Sequence, residues 1–147
     1  MRTQLVPRLA AAGLLVTVAL AASGCSVIDA VVYKQKSAEY ADAAAFEADE
    51  DLDVPWLPAD SSAIRVTQST QAEDATVAVI SAEALDEGLC TEVPRQSAPA
   101  YVVDDEVDVY GLDTVFACGA WSVAETPSGW LGWTPNHPDE AAQSPVS

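Results

Sequence analysis

The run Leu9 to Ala22 carries no charge, follows Arg2 and Arg8, and ends at the small residues Ser23 and Gly24. It is too short for an ordinary membrane span, which needs ~20 apolar residues to cross ~30 Å of hydrocarbon. A basic start, a short apolar middle and small residues before a cut make a secretory signal peptide. Because the arginines come first, the positive-inside rule sends the rest of the chain outward. No Arg-Arg pair is present, which points to general export rather than the twin-arginine route. This feature constrains the fold more than any other. Residues 1–24 are expected to be removed, so folding falls to residues 25–147, one domain's worth at most, in an oxidising compartment.

Position 25 sets the expected anchor. Ala22-Ser23-Gly24-Cys25, with Leu20 two residues further back, resembles the lipobox of bacterial lipoproteins. The resemblance implies that the Cys25 thiol receives a diacylglyceryl group through a thioether. It also implies cleavage between Gly24 and Cys25, which makes Cys25 the first mature residue. Two acyl chains anchor stably where one binds only reversibly, at ~0.8 kcal/mol per buried CH₂. Acylation also removes a reactive thiol. The expected location is the outer face of the cytoplasmic membrane. Further on, Trp56-Leu57-Pro58 followed by Ala63-Ile64-Arg65-Val66 resembles small uncharacterised lipoproteins of high-GC Gram-positive bacteria. That resemblance implies no activity.

The chain has 23 acids against 6 Lys and Arg, a formal charge of −17. Arg2 and Arg8 fall in the removed segment, so the mature part is more acidic still. Nucleic acid is excluded as a partner, because its binding rests on Lys and Arg against phosphate. Cationic proteins and uncharged small ligands remain, beside the membrane reached through the lipid. The one histidine and three cysteines cannot supply a zinc set, and no other cofactor is indicated. In an exported chain, Cys90 and Cys118 are expected to form a disulfide. Loop-closure entropy credits such a bridge with roughly 3–4 kcal/mol.

Residues 25–52 follow the anchor. Ser26 to Asp51 is rich in Ala, Glu and Asp and lacks Gly and Pro, which predicts a helical or flexible stalk. Lys34 and Lys36 lie near its root, where anionic headgroups would attract each by ~1 kcal/mol. Val54-Pro55-Trp56-Leu57-Pro58 then opens the domain in extended form, with Trp56 as a plug for the core.

Residues 53–134 read as a small β-rich domain. Strands are expected at 63–67 and 76–81, a short helical turn at 82–88, and a loop at 91–99. Further strands are expected at 100–103 and 106–110, the second alternating as in a sheet with one wet face. Both faces of 114–125 are nearly uncharged, which predicts the central strand. Thr126-Pro127-Ser128-Gly129 predicts a hairpin that pairs Trp130 near Glu125 and Trp133 near Ser122. Residues 135–147 hold three prolines and no apolar run, and read as a disordered tail.

Few side chains suggest chemistry. His137 lies in the expected tail, so no Ser-His or Cys-His site is indicated and no catalytic residue is assigned. Carboxylate pairs could hydrolyse glycosides, but with 23 acids a suitable spacing arises by chance. Asp104, Glu106 and Asp108 are weak calcium candidates, with Asp113 nearby. The twelve-residue loop pattern fails at Val109 and Val115, where Gly and Glu belong. Trp121, Trp130, Trp133 and Tyr110, with Tyr101, form a candidate binding surface, though such residues more often fill a core.

The expected fold is α+β, mainly β: an N-terminal helical stalk, then a small, mostly antiparallel sheet with one disulfide. The expected function is a membrane-anchored, non-enzymatic binding or accessory module of the cell envelope. The alternatives are an acidic inhibitor or immunity-type partner of a basic envelope hydrolase, and a carboxylate-dependent hydrolase.

Overall fold

Short apolar segments spread along the chain build a sheet in the computed structural model, which describes residues 32–146. The expected signal peptide, residues 1–24, and Cys25 lie outside the described residues. Among those described, seven strands form one sheet: β1 (Gln35–Asp42), β2 (Ser62–Ser69), β3 (Ala75–Ile80), β4 (Thr91–Pro94), β5 (Thr114–Cys118), β6 (Trp121–Thr126) and β7 (Gly129–Thr134). Their spatial order is β1-β2-β3-β7-β6-β5-β4, and every neighbouring pair is antiparallel. Two short helices, α1 (Ala43–Asp49) and α2 (Pro138–Ala141), and a 3-10 turn at Val109–Gly111 complete the elements. The protein is thus mainly antiparallel β with few helices and a Cys90–Cys118 disulfide.

Both faces of the inner sheet are covered, which explains why β3, β5 and β7 carry no charged residue. On one face Ile64, Val66, Val77, Val79 and Val123 pack under Phe46, Val54, Trp56 and Leu85. On the other, Ala78, Val115, Ala117, Leu131 and Trp133 pack under Val109, Val103, Val107 and Leu112. The link from β3 to β4 crosses the first face, and the link from β4 to β5 crosses the second. Trp56 is buried against Gly132, where any Cβ would collide with its indole, and meets Trp121 edge-on at 5.9 Å. It plugs the core as expected.

The β6–β7 hairpin has the expected register, with Trp130 opposite Glu125 and Trp133 opposite Ser122. Elsewhere the structure corrects the sequence reading. The described part of the stalk is not a continuous helix. β1 pairs with β2 from Gln35↔Ser69 to Asp42↔Ser62, placing Ala38 and Tyr40 beside Val66 and Ile64. Sheet pairing overrides helix propensity there. The α-helix of this stretch is α1, where the Asp42 carboxylate accepts the Ala45 N–H at 2.8 Å. Residues 114–125 are two strands, because Gly119 takes a left-handed φ of 64° and turns the chain. The central strand is β7. Residues 82–88 form no helix. Thr91–Pro94 is an edge strand, paired with β5 and tied to it by the disulfide. Residues 100–103 and 106–110 are not strands; they belong to the cover of the second face.

The expected disordered tail is ordered through residue 146. His137 caps α2, Asn136 donates to the Gly119 and Trp121 carbonyls at 3.1 Å each, and the Ser144 hydroxyl accepts the Gly119 N–H at 2.7 Å. These polar ties hold the segment over the β5–β6 turn without an apolar run.

Candidate binding surface

The three tryptophans that were candidates for a binding surface lie in the core, the commoner place for such residues. Trp121, Trp130 and Trp133 are 4%, 8% and 1% exposed. Each indole N–H ties the sheet to a covering segment. Trp121 donates to the Asp53 carbonyl, Trp130 to the Glu83 carbonyl, and Trp133 to the Ser97 hydroxyl. An amphipathic ring with a buried body and a satisfied polar tip suits this role. Of the four, only Tyr110 reaches solvent, at 75% exposure.

The weak calcium candidates are turned to separate partners. Asp104 pairs with Arg65 and accepts the Glu106 N–H at 2.7 Å. Glu106 accepts from the Ser128 hydroxyl at 2.5 Å, and Asp108 accepts the Tyr110 N–H at 3.1 Å. Among the described residues no group of three or more His, Cys, Asp or Glu is placed to hold a metal ion. His137 accepts the Asp139 N–H through Nδ1 and serves as a helix cap.

The acidic and aromatic candidates meet in one place. The segment 99–110 lies over the second face and leaves a groove of about 280 Å³, with Leu131 of β7 among its lining. Tyr101, Val102, Val107 and Tyr110 supply apolar wall, and Asp104, Asp105 and Asp108 are set among them. Val102 and Tyr110, at 88% and 75%, are the most exposed large apolar side chains described. From below, the Arg95 guanidinium donates to the carbonyls of Leu112, Ser97 and Tyr110 and lies 5.9 Å from the Tyr110 ring centroid. The inside–outside alternation of 106–110 survives without a ladder: Val109 is buried and Val107 half-buried, while Glu106, Asp108 and Tyr110 face water.

No family model, curated protein or solved structure matches the chain.

Two buried carboxylates escaped the sequence reading. Glu140 is 0% exposed. Its Oε1 accepts the N–H groups of Gln96 and Ser97 at 2.5 and 2.9 Å. Its Oε2 accepts the Ser97 and Ser122 hydroxyls at 2.5 and 2.9 Å and the His137 N–H at 2.9 Å. Burial pushes its pKa up, but the donors from Ser97, Gln96, His137 and Ser122 outweigh that and hold it below the usual value. Pro138 at the first helical position and two acids in the first turn were the available signals for this helix. Glu50, 9% exposed, accepts from Lys36 at 2.9 Å, Gln68 at 2.8 Å and Tyr40 at 3.0 Å. Its pKa is pushed up by burial and lowered on balance by Lys36, Gln68 and Tyr40. Burial and the Glu50 carboxylate together raise the Tyr40 phenol above its usual value. Lys36 is thus paired with Glu50 while half of its side chain stays in water.

Proposed function

We propose that the protein is a lipid-anchored, non-enzymatic binding or accessory module on the outer face of the cytoplasmic membrane. The observation that carries this reading is the leader ending at Cys25, joined to the pairing of the other two cysteines with each other. With Cys90 and Cys118 bridged, Cys25 is the thiol left for acylation. The bridge itself suits an oxidising compartment. A binding role is supported by the fate of the buried acids. Glu50 and Glu140 are committed to internal donors, in separate clusters, so neither is arranged with the other as an acid–base pair. That weighs against the carboxylate-dependent hydrolase.

The acidity of the chain and its exposed loop favour a second, sharper form of the reading: an inhibitor or immunity-type partner of a basic envelope hydrolase. The anchoring is tested by intact-mass analysis of membrane fractions. The expected product begins at Cys25 and is heavier by a diacylglyceryl group, and the Cys25→Ser variant should lose both the added mass and the cut. A cytosolic protein with an uncut leader would refute the proposal. Salt-sensitive capture of one cationic hydrolase separates the inhibitor from a module that takes a neutral ligand.

A further inference from the structure

The groove under segment 99–110 combines two features that oppose each other on an ordinary surface. Its walls are apolar and exposed, and its rim is acidic. From Asp104 to Asp113 the chain carries Asp104, Asp105, Glu106, Asp108 and Asp113. The cations near them, Arg65 and Arg95, already have partners, one in Asp104 and the other in three backbone carbonyls. Asp105 is exposed and lines the groove. At about 280 Å³ the groove is smaller than the ~300–1,000 Å³ of pockets that enclose drug-sized ligands. It matches one or two side chains. Larger grooves of about 670, 580, 480 and 350 Å³ lie elsewhere on the described residues, but the only strongly exposed large apolar side chain lining any of them is Ile80.

We infer that this groove docks a cationic segment of another envelope protein, with the aliphatic stem of a Lys or Arg against Val102 and Tyr110 and its charged head at Asp105 and Asp108. The inference rests on the binding-module reading and names the partner's chemistry. Long basic side chains cover apolar surface with their stems while their heads stay in water, which suits an apolar wall below an acidic rim. The chain's net charge of −17 steers such a partner in from a distance. A glycan is the weaker fit, because the tryptophans that would stack on sugar are inside the core.

The test uses the complete mature chain with Cys25→Ser, which needs no detergent. Fluorescence anisotropy follows binding of a labelled twelve-residue peptide alternating Leu and Lys, beside Ser/Lys and Leu/Glu peptides and chitotetraose. Only the Leu/Lys peptide is expected to bind. Val102→Ser with Asp105→Asn should weaken it at least ten-fold, while Glu47→Gln with Glu83→Gln, distant in sequence and exposed, should leave it within two-fold. Equal losses in the two double variants would mean diffuse attraction to an acidic body and would overturn the inference. So would equal binding of the Ser/Lys peptide, or capture of chitotetraose instead. Peptide binding that survives Val102→Ser with Asp105→Asn would also overturn it, yet leave the module reading standing. The module reading falls separately, if the protein is found unlipidated in the cytosol.

Discussion

Glu50 and Glu140 are both buried carboxylates, and the two regions solve the same problem differently. Glu50 lies beside edge strand β1 and is balanced by a cation, Lys36, whose own side chain is 49% exposed. Glu140 has no cation among its recorded partners; five N–H and O–H donors from three separated segments converge on it. The first arrangement trims a sheet edge. The second is a clasp that holds the C-terminal helix, the segment after β4 and β6 together. A buried charge stays ionised when enough oriented dipoles point at it, and removing it strands every one of them.

The largest expected effect comes from breaking the clasp. Glu140→Gln puts an amide N–H₂ among donors and should destabilise the fold by about 3–5 kcal/mol in urea unfolding. It should also free α2 for early amide exchange. Glu50→Gln should cost about 1–2 kcal/mol, because Gln68 and Tyr40 can partly rearrange around an amide. If the two variants cost the same, the contrast between the regions is false. Lys36→Met should cost at most about 1 kcal/mol, and its effect should shrink in high salt, since half of that side chain is in water. Glu140→Gln should show no such salt dependence.

The finest discrimination is in the acid limb. Both carboxyls titrate below their usual value in the folded chain. Near pH 4 the unfolded chain therefore binds more protons than the folded one. The stabilisation is full above the unfolded value of ~4.3 and is lost as pH falls through the lower folded values. Stability measured from pH 6 down to pH 2 should fall less steeply in Glu140→Gln than in the parent. An unchanged slope would mean that Glu140 is not depressed.

The difference between these regions also bears on what was legible in advance. β2, β3 and the β6–β7 hairpin could be read because alternation and Pro-Ser-Gly turn chemistry agree there, and the Trp130 and Trp133 registers followed. The disulfide followed from the expected compartment and the cysteine number. β1 was hidden because Ala-rich sequence favours helix until a neighbouring strand recruits it. α2 was hidden because it is fastened by hydrogen bonds to one carboxylate, and hydropathy does not register such a fastening. In 106–110 the alternation correctly told inside from outside, but the same pattern arises in a loop lying on a sheet. The tryptophans show the matching ambiguity: a ring with a polar tip suits a ligand platform and an internal tie equally well.

The early start of β1 has one more consequence. Between Cys25 and Gln35 the backbone can span at most ~33–36 Å, even pulled taut. With the proposed lipid on Cys25, a body on so short a leash would patrol a thin shell beside the bilayer. Whatever it meets must itself be tethered there or pass close by, and lengthening the leash should matter more to its encounters than raising its concentration.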